Sequence, residues 1–270
     1  MRILHLSDLH FGAETLHWGE VLPNLDKGLI GLANLKLNPS RVFPAQLRER
    51  VLQKAVELDW DLCVITGDLT NISAENEFQV AKKGLQRLRE KGSLLLCAGN
   101  HDRYTTKSLG RMESFFKEDW PYSQRAKSPF PQYELGDWVI ISLNQAVARG
   151  VFSSQGELQG GISALKELLS SLSSKKIILM GHYPLFLPKG VHEAKKHRLE
   201  GMKELAELLL EQKVRLYLHG HMHQSWSFLV EGSNLQAVNS GGCCRFEEGK
   251  KAGFHLIELG ESASVSRIDL

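Results

Sequence analysis

Gly99-Asn100-His101-Asp102 follows directly on the apolar run Leu94-Leu95-Leu96-Cys97-Ala98. The run reads as a buried strand, so three chemistry-bearing side chains stand where a strand gives way to a loop. Open α/β sheets build their sites at such exits. Asn and Asp also make turns by bonding their own backbone, and taken alone the stretch is equally a turn. The other strand exits tip the balance. Asp8-Leu9-His10 follows Ile3-Leu4-His5-Leu6, and Gly67-Asp68 follows Leu62-Cys63-Val64-Ile65. Gly181-His182 follows Ile177-Ile178-Leu179-Met180, and Gly220-His221-Met222-His223 follows Val214-Arg215-Leu216-Tyr217-Leu218. Five strand-like runs thus end in residues able to hold a metal.

Helical patterns lie between these runs. Leu47, Val51, Leu52, Ala55, Val56 and Leu58 share one face of a helix over 44–59, and Phe78, Ala81, Leu85 and Leu88 one of a helix over 74–91. Further helices are predicted near 108–118 and over 162–173 and 201–212, with a strand at 138–143. The tail alternates with period two from Trp226 to Ile268, which reads as an antiparallel meander. The fold class is therefore α/β: a pair of mixed sheets wrapped by helices, with the site at one edge. One domain over 1–270, with a helical insertion at about 13–43, is the simplest division.

Composition narrows the function classes. The chain has 270 residues, net charge +2 and 42% hydrophobic residues, enough for a large core. The charge gives no strong nucleic-acid or membrane field. The 11 His are many for this length. Cys63, Cys97, Cys243 and Cys244 form no spaced framework and read as reduced, cytosolic thiols. No apolar stretch is long enough to span a bilayer. Leu22, Leu25, Leu29 and Leu32 recur at helical spacing, and the 16–37 segment reads as a helix packed over the sheet edge. Its alternative is an apolar lip for a lipid-like substrate, a partner or a peripheral membrane contact. The loop 184–200 is basic, either a solvated rim or a surface for an anionic substrate. His5 and His219 read as core histidines, and His17, His192 and His197 as rim.

The candidate ligands are Asp8, His10, Asp68, Asn100, His182, His221 and His223. One metal with an open position needs fewer; two ions about 3.5–4 Å apart sharing a carboxylate would use them all. Mixed N and O donors without thiolate point to Mn, Fe, Zn or Co. Two such ions make hydroxide available near neutral pH and neutralise a phosphoryl oxygen, which suits in-line attack on a phosphate ester.

The ordered series Asp8-x-His10, Gly67-Asp68, Gly99-Asn100-His101-Asp102, Gly181-His182 and Gly220-His221-Met222-His223 resembles the calcineurin-like metallophosphoesterase family. That resemblance implies a four-layer α/β/β/α sandwich. It implies that Asp8, His10 and His223 hold one ion and Asn100, His182 and His221 the other, with Asp68 bridging. His101 would reach the substrate phosphate or protonate the leaving oxygen, and Asp102 would orient His101. Arg245, after Asn239-Ser240-Gly241-Gly242, stands where it either touches phosphate or is a surface Arg. The short spacing between blocks looks most like the class III cyclic-nucleotide phosphodiesterases. A UDP-2,3-diacylglucosamine pyrophosphohydrolase of lipid A synthesis is the second enzyme reading, motivated by 16–37. The chain lacks the basic stripe of a nuclease. A non-catalytic scaffold on the same fold would have lost ligands, and here all are present.

Overall fold

The structure, a computed structural model, describes residues 1–12, 43–123, 128–150, 153–248 and 251–270. The expected insertion at about 13–43, and with it the 16–37 segment and His17, lies outside the described residues, apart from Phe43. Two mixed sheets form the centre. The first has strand order β11-β10-β1-β2-β3, from β1 (Arg2–Leu6), β2 (Leu62–Thr66), β3 (Ser93–Cys97), β10 (Gly253–Leu259) and β11 (Ala263–Asp269). The second has order β4-β5-β6-β7-β9-β8, from β4 (Gln132–Leu135), β5 (Trp138–Ser142), β6 (Lys176–Met180), β7 (Leu216–His219), β8 (Trp226–Leu229) and β9 (Gln236–Asn239). β1, β2 and β3 run parallel, as do β5, β6, β7 and β9, so their C-terminal ends gather at one edge.

Helices cover both outer faces. α1 (Ala45–Glu57), α2 (Glu75–Gly84) and α3 (Gln86–Lys91) pack on the first sheet, and α4 (Arg111–Phe115) joins them through Met112. α5 (Ile162–Ser171) and α6 (Met202–Glu211) cover the second. The pleat explains how wholly apolar strands serve two layers. In β2, Leu62 and Val64 face the second sheet while Cys63 and Ile65 face the helices. In β6, Ile178 and Met180 enter the space between the sheets, and Ile177 and Leu179 meet α5 and α6. The result is the four-layer α/β/β/α order.

Three expectations are corrected. The helix over 74–91 is broken at Leu85, where Gly84, a poor helix former, lies against the ring of Phe11. β4, outside every element read from the sequence, is an antiparallel edge strand on β5. The tail forms two antiparallel pairs, β8 with β9 and β10 with β11, but no continuous meander: β9 inserts parallel to β7, and β10 crosses to pair with β1 in the other sheet. Period-two alternation signals a strand but not its neighbour. The four cysteines are buried, and none forms a disulfide among the described residues. No helix among the described residues is long and apolar enough to cross a membrane.

Candidate metal centre

Pairing continues beyond the strands at the C-terminal edge. The main-chain N–H groups of Asp8 and His10 donate to the carbonyls of Gly67 and Asp68, both at 3.0 Å. This locks the first two polar exits side by side. Gly67, at φ +93°, cannot be replaced freely: a Cβ there would stand 2.7 Å from His182 Nδ1. Gly220 packs against Ser7 and the Asp8 carboxylate, which any side chain would displace. Asp8, His10, Asp68, His221 and His223 themselves adopt positive φ between 47° and 72°. That conformation is costly for residues with a side chain and persists where the surroundings enforce it, commonly at functional sites.

One oxygen or nitrogen from each of Asp8, His10, Asp68 and His223 lies within 4.8 Å of all the others. Asp8 Oδ1 is 3.2 Å from His223 Nε2, which is 3.3 Å from His10 Nε2. Beside them stands a second group. Asn100 Oδ1 is 3.1 Å from His182 Nε2 and 2.9 Å from His221 Nδ1, and the two imidazole nitrogens are 3.3 Å apart. Asp68 Oδ2 stands between the groups, 3.9 Å from His10 Nε2 and 3.3 Å from His182 Nε2. It is buried without a hydrogen-bond partner among the described residues, an arrangement that calls for an explanation. All seven expected ligands are thus brought together.

The outer ring atoms are tied to the main chain. His10 Nδ1 meets the Thr70 carbonyl at 3.0 Å and His182 Nδ1 the Thr66 carbonyl at 2.7 Å. Each ring thereby keeps a hydrogen on Nδ1 and turns Nε2 inward, the nitrogen that a metal-binding imidazole would offer. Two pairs of nitrogens face each other with an unpartnered carboxylate oxygen between: this donor set fits divalent cations of the N- and O-preferring kind.

Electrostatics agree. Burial pushes the Asp8 carboxyl up, but the hydrogen bond and charge of His223 outweigh it and hold the pKa down at about 2. Burial likewise opposes ionisation of Asp68, yet His182, His101 and His10 keep it well below the usual range. Burial lowers His182, and Asp68 more than offsets this, raising it to about 9. Burial lowers both His10 and His101. Asp68 therefore draws positive charge toward itself strongly enough to reverse the cost of burial at one imidazole.

His101 sits beside this group. Its main-chain N–H donates to Asp68 Oδ1 at 2.9 Å, and its Nδ1 meets the Asn71 carbonyl. The expected contact from Asp102 to the His101 ring is corrected here. Asp102 accepts instead from the N–H groups of Gly99 and Thr70, both at 2.9 Å, and from Thr70 Oγ1 at 3.0 Å. With acceptors filled by backbone donors, it braces the turn that carries His101. Burial, then the charge of Asp68, pushes Asp102 up to about 7. Arg245 pairs with Glu247 at 3.7 Å, on a loop whose Gly242 packs against the backbone of His223.

Several supporting residues gave no sequence signal. Gln145 Oε1 accepts from the N–H of His182 at 2.8 Å and of Tyr183 at 3.2 Å. Glu77 binds the Asn71–Ala74 turn, and Phe43 stacks on His10 at 3.9 Å. His5 and His219 are buried as expected, His5 bonded to Thr66.

Comparison with known proteins agrees with this geometry. The profile of the calcineurin-like phosphoesterase family matches residues 1–225. A protein of Ruthia magnifica named "Probable cyclic nucleotide phosphodiesterase" is 25% identical over 221 residues, 81% of this chain and 85% of its own length. A similarly named protein of Synechococcus is 28% identical over 182 residues, 65% of this chain and 61% of its own length. Among solved structures, a dimetal phosphatase from Danio rerio superposes with a TM-score of 0.64 at 12% identity, covering 100% of this chain and 98% of its own. A purple acid phosphatase from yellow lupin gives 0.63 at 12% identity, over 100% of this chain and 51% of its own. These two show likeness of fold. The chain belongs to the calcineurin-like phosphoesterase family and is a hydrolase of phosphoester bonds.

Proposed function

We propose that this chain hydrolyses a phosphodiester, of the cyclic-nucleotide kind, with two divalent ions held at the edge where the strands end. The observation that carries this reading is Asp68 Oδ2, buried, unpartnered, and placed between His10 and His182. Asp8, His10 and His223 hold one ion and Asn100, His182 and His221 the other, with Asp68 serving both. Bound there, the ions supply Lewis acidity, acidifying water and neutralising charge on a phosphoryl oxygen. The names of the curated relatives support the diester as substrate class.

The protein's own contribution is placement. The Asn71 carbonyl fixes the hydrogen of His101 on Nδ1 and leaves Nε2 for the substrate. Burial keeps that ring neutral in the free protein; the charge of an incoming phosphodiester favours its protonation, and Nε2–H then donates to the leaving oxygen. Asp102 holds the turn beneath it. On this reading the whole chain, 1–270, acts as one catalytic unit.

The test is a panel of cyclic AMP, bis-p-nitrophenyl phosphate, p-nitrophenyl phosphate and UDP-2,3-diacylglucosamine, each with added Mn²⁺. The two diesters are expected to turn over faster than the monoester and the lipid nucleotide. Turnover confined to the lipid nucleotide, or to the monoester, refutes the diester reading.

A further inference from the structure

Glu193 lies on the loop between β6 and α6, outside every motif of the site. It is 5% exposed, and neither of its carboxylate oxygens has a hydrogen-bond partner among the described residues. A buried carboxylate in that state is rare unless it meets a charge. Its Oε1 stands 2.8 Å from Nε2 of His221. The same Nε2 is 3.1 Å from the main-chain oxygen of His197, on the same loop. Two oxygens therefore converge on one ring nitrogen: its hydrogen bond runs to the His197 carbonyl, which places the hydrogen on Nε2, and the Glu193 carboxylate lies against the same N–H without hydrogen-bond alignment. The other nitrogen, Nδ1, is left with its lone pair. It points at Asn100 Oδ1, 2.9 Å away, and His182 Nε2, 3.3 Å away.

The loop is held in place to do this. The N–H groups of Ser154 and Gly156 donate to the carbonyls of Lys196 and Arg198 at 3.0 and 3.2 Å, and Glu200 N–H returns to Gly156 O at 2.9 Å. Arg198 Nε donates to the Glu193 carbonyl at 2.7 Å. The ring of Tyr183 covers His221, centroid to centroid 4.6 Å, and its hydroxyl donates to Ser154 O at 2.7 Å. A basic-looking loop thus delivers its one buried acid to the site.

We propose that Glu193 is a positioning residue for one ion only: lying against Nε2 of His221 beside the His197 carbonyl, it holds the orientation of that ring, so that the ion shared with Asn100 and His182 is bound more tightly. This rests on the two-ion reading given above. Partners of this type change metal affinity by about 10–100-fold when removed. The ion held by Asp8, His10 and His223 has no such dependence.

Metal-free protein is titrated with Mn²⁺, counting bound ions from the loss of the free-ion electron paramagnetic resonance signal. Wild type, Glu193→Ala and the isosteric Glu193→Gln are compared, with the melting temperature of each metal-free form. Wild type is expected to bind two ions. Glu193→Ala is expected to keep one at wild-type affinity and to weaken the other by about 10–100-fold, with Glu193→Gln, which keeps an acceptor, losing less. Two ions at wild-type affinity in both variants overturns the inference and leaves the site reading intact. Equal weakening of both ions together with a lower melting temperature also overturns it, because Glu193 then only anchors the loop. A single ion in wild type overturns the two-ion reading itself, and the inference with it.

Discussion

Glu77→Ala removes the acceptor that shapes the loop under His101. The Glu77 carboxylate is fully buried at the start of α2 and receives four donors. Asn71 N and Nδ2 reach Oε1 at 2.9 Å each, and Ile72 N and Ala74 N reach Oε2 at 3.1 and 2.8 Å. Burial pushes this carboxyl up to about 7, so the measurement belongs at pH 8, where it is ionised. Truncation opens room for water to serve some of these donors. If two stay unmet at about 1–3 kcal/mol each, the loss centres near 4 kcal/mol. For a chain of this size that is a fall in melting temperature of roughly 8–16 °C. The Asn71 carbonyl that holds His101 belongs to the same turn, so kcat on bis-p-nitrophenyl phosphate should fall while KM changes little. Calorimetry and steady-state kinetics read the two effects. A loss below about 1 kcal/mol with unchanged kcat refutes the reasoning, since the turn would then be held by other contacts.

His101→Ala is expected to retain both bound ions by elemental analysis while turnover drops by about 10²–10⁴-fold; loss of ions would make His101 a ligand. The neutral buried histidines give a pH dependence. Burial lowers His255 to about 4, below its unfolded value, so its contribution is complete above about pH 6.5 and is lost as pH falls toward 4. The stability of wild type should therefore decline by about 1.4 kcal/mol per pH unit more steeply than that of His255→Asn across this window; parallel urea-denaturation profiles contradict it.

The candidate ligands were legible because each is a distinctive residue type at the end of an apolar run, and strand exits are where an α/β sheet can place chemistry. Asp8, His10 and Asp68 needed no knowledge of neighbours. The supporting residues did. Gln145 reaches His182 across a strand boundary 37 residues away, and Asn71 meets His101 30 residues away. Neither pairing leaves a periodic trace. Asp102 is a similar case: the resemblance implied that it orients the His101 ring, whereas the turn aims the carboxylate at the Gly99 and Thr70 N–H groups. Apart from β4, the strands were readable up to β7, but β9 alternates like any half-buried strand, and its parallel place beside β7 is a tertiary choice. Glu193 was hidden among lysines, in a loop whose charge suggested solvent.

The most direct measurement is the count of metal ions per chain, by plasma mass spectrometry after Mn²⁺ loading, in wild type and Asp68→Ala. Because Asp68 Oδ2 stands between His10 and His182, the account predicts about two ions in wild type and loss of both in the variant. Retention of one ion at full occupancy in Asp68→Ala would contradict it.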